Sequence, residues 1–239
     1  MSLKNQEPLL EVRNLVKNFG GFKALDGISF RLAAGEILGL VGPNGSGKTT
    51  CINVISGLYK PDGGEILCRG QSVSGKPMHY MAGIGVNRTF QVPKPFKSLT
   101  VEQNIKIAKS QRTSGRPAVV EDVLSYLGLE EFAKREAGSL TSGQQKMLDL
   151  ARAIATNPVL LLVDELAAGL GPSELDEVAD RLRELAQRGV AIVVVEHLLS
   201  FVNQLTQRVI VMNAGKRIFE GNLESASQDE EVVAVYLGH

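Results

Sequence analysis

Three short runs of Val, Leu and Ile stand out along the chain: EILGLV (36–41), VLLLV (159–163) and VAIVVV (190–195). Strands buried on both faces need such unbroken apolar runs. Helical periodicity follows each of them, so they predict the parallel sheet of a doubly wound α/β core. LLEVRNLVKNF (9–19), GISFRLAAG (27–35) and GGEILCRG (63–70) instead alternate apolar and polar positions. That period of two predicts half-exposed antiparallel strands, hence a small antiparallel sheet beside the core.

The middle third reads differently. VEQNIKIAKS (101–110), AVVEDVLSYLG (118–128) and QQKMLDLARAIAT (144–156) carry helical patterns, with a turn expected at SGRP (114–117) and few strand signals. We read residues of about 93–155 as a helical subdomain inserted into one domain spanning 1–239, with the core and antiparallel part at about 1–92 and 156–239. A further helix is expected over 174–188, where Leu175, Val178, Leu182 and Leu185 fall on one face and Gly189 follows as a stop.

Composition narrows the classes. At 239 residues and 44% apolar content the chain can bury a real core, which excludes a disordered tail protein. Lys plus Arg number 26 and Asp plus Glu 26, so no global basic field recruits nucleic acid or anionic lipid. Cys51 and Cys68 lie far apart without histidine neighbours, which argues against a disulfide frame or a zinc site and for a reducing cytoplasm. The opening MSLKNQEPLLEV lacks the apolar core of a signal peptide. The longest apolar stretches, Val159–Val163 and Val190–Val195, fall far short of the ~20 residues a membrane span needs.

Candidate chemistry begins at GPNGSGKT, Gly42, Pro43, Asn44, Gly45, Ser46, Gly47, Lys48 and Thr49, with Thr50 next. It fits G-x-x-x-x-G-K-[ST] directly after a strand and before a helix. Glycines let successive N–H groups converge on phosphates at a helix N-terminus. Lys48 adds a point charge for the β- and γ-phosphates, and the Thr49 hydroxyl is a hard ligand for Mg²⁺. LLLVDE ends an apolar strand in two carboxylates, Asp164 to hold the metal and Glu165 to polarise an attacking water. A third strand ends at Glu196 and His197, again at the carboxyl edge where open α/β sheets bind ligands; His197 is read as a γ-phosphate contact.

At LTSGQQKMLDLARAI (140–154) a Ser/Thr-Gly turn opens a long amphipathic helix shortly before the acidic strand. Together with the elements above, nearly the whole chain resembles the ATP-binding cassette family. GVNRTFQ, DELAAGLGPSE, VVEHLLSFV and VYLGH look most like the ATPase subunits of branched-chain amino-acid importers. The resemblance implies a P-loop NTPase (RecA-like) α/β fold that binds ATP and Mg²⁺ and hydrolyses ATP. It assigns Phe19 to stacking on adenine, with Phe22 a near competitor, and Gln91 to Mg²⁺ and the attacking water. Thr141, Ser142, Gly143 and Gln144 match the signature that meets the γ-phosphate held by a second copy. The implied partners are a second cassette, identical or related, integral membrane permease subunits and, indirectly, a solute-binding protein, with no nucleic acid and a location on the inner face of the membrane. VPKPFKSL (92–99) is a stiff, partly apolar surface for the permease.

Four positions depart from the family pattern: Leu166 replaces the proline of D-E-P, Gly171 replaces an aspartate, Thr141 replaces a serine while keeping a hydroxyl, and Ser142 replaces a glycine. Ser142 adds a side chain near the expected approach of backbone and phosphate. Readings as a non-transport cassette, or as a cassette moving urea, amides or other solutes, stay open at this point. A GTPase is disfavoured by the absence of a guanine-reading Asn-Lys-x-Asp.

Overall fold

The structure, a computed structural model, describes residues 7–112 and 115–237. The chain starts with β1 (Leu10–Phe19) and β2 (Phe22–Leu32), then β3 (Ile37–Val41), α1 (Lys48–Ile55), β4 (Gly63–Cys68), β5 (Gln71–Ser72), α2 (Met78–Gly83) and β6 (Val86–Arg88). Helices α3 (Val101–Ser110), α4 (Val123–Tyr126) and α5 (Ser142–Ala155) fill the middle. The remainder runs β7 (Leu160–Asp164), α6 (Pro172–Gln187), β8 (Ala191–Val195), α7 (Leu199–Leu205), β9 (Arg208–Asn213), β10 (Lys216–Gly221), α8 (Leu223–Ala226) and α9 (Glu230–Leu237).

Among the described residues these strands form two sheets. One is antiparallel with order β2-β1-β4-β5; the other has order β10-β9-β3-β8-β7-β6. The three unbroken apolar runs become β3, β7 and β8, adjacent and parallel at the centre of the larger sheet. Their alternate side chains feed different cores. Leu161, Val163, Ile192 and Val194 pack with α5, α6 and α7, whereas Leu160, Leu162, Val193 and Val195 pack with α1 and the antiparallel sheet. Val101, Ile105 and Val123 of α3 and α4 join the first of these cores.

Three expectations need correction. The larger sheet is not wholly parallel, because β10 pairs antiparallel with β9 at its edge. The helix expected over 118–128 shrinks to α4: the Asp122 side chain accepts from Ser125 N and starts the helix there, while Val119 N donates to Asn157 Oδ1. α6 begins at Pro172 rather than 174, since proline suits a first helical turn and Glu174 Oε2 accepts from the Gly171 N–H just before it. It ends at Gln187. Of the SGRP turn, Ser114 lies outside the described residues, as do residues 1–6 and the last two of VYLGH. No helix among those described is long and apolar enough to cross a membrane.

Candidate active site

The phosphate-binding loop joins β3 to α1, and two glycines in it are forced by close approach. A Cβ on Gly42 (φ +145°) would lie 2.1 Å from Met212 O, and one on Gly47 (φ +103°) 2.5 Å from Ala24 O. Gly47 occupies the N-cap of α1, so the free N–H groups of the first turn open into the loop. Lys48 Nζ curls back to donate to Gly42 O at 2.8 Å and Pro43 O at 2.9 Å. Burial holds this ammonium below the ordinary lysine value, opposed by Glu165 and Asp164. A cleft of about 230 Å³ next to the loop is lined by Asn44, Gly45, Lys48, Thr49 and Thr50, with Phe19 and Phe22 on its rim. Phe19 and Phe22 pair across the β1–β2 hairpin, and Phe19 meets Tyr59 edge to face at 5.2 Å between ring centres.

Opposite the loop, β7 delivers both carboxylates. Asp164 is almost wholly buried; Thr49 Oγ1 donates to its Oδ1 at 3.4 Å and Arg88 Nη2 lies 3.3 Å from its Oδ2. Burial pushes the Asp164 carboxyl above the ordinary aspartate value, with Arg88 the chief opposing influence. Among the described residues no three His, Cys, Asp or Glu side chains converge as a metal cage. A hydroxyl and one carboxylate side by side instead fit Mg²⁺, which takes hard oxygen ligands and completes its shell from phosphates and water.

Glu165 follows with φ +49°, a left-handed conformation uncommon for a residue with a side chain. Gln91 Nε2 donates to its Oε2 at 2.6 Å, and His197 Nε2 lies 3.0 Å from its Oε1. Two sequence-predicted residues 106 positions apart therefore converge on the carboxylate of a third. A carboxylate held at both oxygens can accept the proton of a water bound in front of it, while the neighbouring ammonium and imidazole offset charge developing on a phosphoryl group.

The signature residues sit elsewhere on the chain. Thr141 caps α5: its Oγ1 accepts from Gln144 N at 3.3 Å, and Gln144 Oε1 accepts from Thr141 N at 3.0 Å. Ser142, the first residue of the helix, is exposed, whereas Gly143 is buried, with room for a Cβ only 3.1 Å from Gly169 O. Among the described residues no hydrogen bond joins 141–144 to the phosphate loop, and Thr141 and Ser142 are exposed at the start of the helix. Of the departures, Leu166 is buried in the core and Gly171 is the N-cap residue just before α6.

Sequence reasoning missed several participants. Thr89 Oγ1 accepts from Asp164 N at 3.1 Å, Asp149 Oδ2 accepts from Phe90 N at 2.8 Å, and Lys146 Nζ donates to Glu165 O. Arg88, which also bonds Asn53 and packs over the Phe90 ring, gave one available signal: it stands three residues before Gln91 in the same short segment.

Comparison with known proteins bears on this arrangement. The family described as ABC transporter matches residues 25–168. The probable branched-chain amino acid transport ATP-binding protein LivG of Archaeoglobus fulgidus is 38% identical, covering 96% of this chain and 95% of that protein. An ATP-binding cassette of an ABC transporter in its ADP conformation superposes with a TM-score of 0.86 at 33% identity, covering 98% of this chain and all of the other. A dimeric cassette in a post-hydrolysis state bound to ADP and Pi gives 0.81 at 25% identity, covering 90% and 98%.

Proposed function

The chain belongs to the ABC transporter family as an ATP-hydrolysing subunit, and from that premise we propose that it drives import of branched-chain or related amino acids by closing on ATP against a second cassette. The convergence of Gln91 and His197 on Glu165, across from Lys48 and Asp164, carries this reading.

In this account the loop Gly42 to Thr50 cradles the phosphates through its N–H groups and Lys48, and Phe19 stacks on the base at the cleft rim. Thr49, Asp164 and Gln91 would hold Mg²⁺, which when bound would supply positive charge to offset that of the phosphates. Glu165 orients the attacking water and takes its proton, Gln91 keeps that carboxylate aimed, and His197 faces the γ-phosphate. Thr141, Ser142, Gly143 and Gln144 serve the partner's nucleotide. The exposure of Thr141 and Ser142 at the helix start and the dimeric form of the post-hydrolysis relative support an active unit of two cassettes, identical or related.

The relative, a probable branched-chain amino acid transport ATP-binding protein similar over nearly the full length of both chains, supports this substrate class. Residues of about 93–155 act as the helical subdomain that meets the permease. Val92 and Phe96 are exposed there beside Gln91, while Asn104 fixes the backbone of Phe96 through both its N–H and its carbonyl. The subunit is held at the inner face of the membrane by that docking, and a solute-binding protein delivers cargo without touching it.

The test is reconstitution. Copurification with a polytopic membrane protein, and ATP-dependent uptake of leucine, isoleucine or valine into proteoliposomes of that complex, is the expected result. Copurification with a ribosome or DNA, or no uptake of any branched-chain amino acid, would overturn it.

A further inference from the structure

Two buried charged residues have no part in the chemistry above: Lys146, one turn into α5, and Glu196, at the end of β8. Both act on the backbone around Glu165. Lys146 Nζ donates to the Glu165 carbonyl, and Glu196 Oε1 accepts from Ala167 N at 2.8 Å, two residues further on. The Glu165 N–H is tied to Val195 O at 2.9 Å. Its left-handed backbone is thus gripped before, at and after the residue. Such a conformation persists only where the surroundings over-determine it. Leu166 supplies none of the rigidity that a proline would bring to this loop.

We propose that Lys146 and Glu196 form a clamp that sets the backbone of Glu165 and thereby aims its carboxylate, making them positioning residues for ATP hydrolysis. The inference rests on the reading of Glu165 as the group that orients the attacking water. Lys146 belongs to the helix whose first turn is the signature, and Gly143 of that turn packs against Gly169 of the loop that follows Glu165. Contact of the signature with a second cassette is therefore mechanically continuous with the aim of this chain's own carboxylate. Charge supports the arrangement: the buried Lys146 ammonium is faced by Glu196, Glu165 and Asp164.

The experiment compares Lys146→Met, Lys146→Arg and the double variant Lys146→Met/Glu196→Met in the purified full chain. Turnover, affinity for a fluorescent ATP analogue and thermal unfolding are read for each. Lys146→Met is expected to lower kcat about tenfold with ATP affinity changed by less than about twofold, and Lys146→Arg to return kcat to within about threefold of the parent. The double variant leaves no lone buried charge, so it recovers stability but not kcat. In a Glu165→Gln background, Lys146→Met should change residual turnover no further. A kcat for Lys146→Met within about twofold of the parent overturns the clamp; so does a kcat that recovers together with stability in the double variant. Should Lys146→Met fail to fold, the double variant decides alone. Parent-like hydrolysis by Glu165→Gln would instead overturn the reading of Glu165, an outcome distinct from failure of the clamp.

Discussion

Arg88 and Asp164 form an ion pair, Nη2 to Oδ2 at 3.3 Å, from which water is almost wholly excluded. Burial is the largest influence on both, pulling the guanidinium down and the carboxyl up from their ordinary values. Their mutual attraction therefore offsets a desolvation cost and is not a net gain. Removing one partner strands the other. Arg88→Met is expected to lower unfolding free energy by about 3–5 kcal/mol, read by urea denaturation. A loss under about 1 kcal/mol, the value of an exposed pair, would mean that water reaches Asp164 after all.

Glu196 gives the protein a pH signature. Burial pushes its carboxyl up to about 7 from 4.5, against the Ala167 N–H and Lys146, with Glu165 adding to the rise. A raised carboxyl favours the fold while protonated, so its contribution is complete below pH 4.5 and is lost as pH climbs through about 7. Glu196→Gln keeps an acceptor for Ala167 and cannot ionise. Its stability relative to the parent should rise between those limits by on the order of 3 kcal/mol and then level off. Parallel pH profiles of the two proteins would contradict this.

Both thiols are packed away. Burial pushes Cys51 to about 12 and raises Cys68 as well. At pH 8 the native protein should show almost no reaction with a thiol reagent, and both cysteines should react at once in denaturant. Fast labelling of either under native conditions would show that its wall opens.

How much of this was legible in the sequence depended on whether a signal was local. β3, β7 and β8 announce themselves because strands buried on both faces must be apolar throughout. β9 carries a similar run, Val209–Met212, but a tight turn with Ala214 and Gly215 at positive φ leads into β10, so a search for strands followed by helices passes over it. β6 is three residues long, too short for a period. In the site, the phosphate loop and the two carboxylates lie in contiguous motifs. Arg88 offered only its place three residues before Gln91 and Glu196 only its place at a strand end, while Lys146 offered nothing, because a charge in a helix reads as exposed until tertiary packing buries it against a partner from another element.

The glycines of the phosphate loop separate close approach from mere backbone preference. Gly47→Ala must displace the Ala24 carbonyl, whereas a Cβ on Gly20, at φ +51°, meets nothing within 4 Å. Gly20→Ala should cost about 1–2 kcal/mol, the penalty of a left-handed residue. Gly47→Ala should cost more and weaken ATP binding at least about tenfold, as equilibrium binding would report. Equal stability loss in the two variants would show that the loop yields without strain.

The central claim is that Glu165, held by Gln91 at 2.6 Å and by His197 at 3.0 Å, orients the water in a site shared by two cassettes. The direct measurement is ATP turnover and oligomeric state of Glu165→Gln with ATP and Mg²⁺ present. Hydrolysis should fall at least about a hundredfold while ATP affinity stays within about twofold, and a nucleotide-bound dimer should accumulate on size exclusion. Hydrolysis at the parent rate, with no dimer retained, would contradict the account.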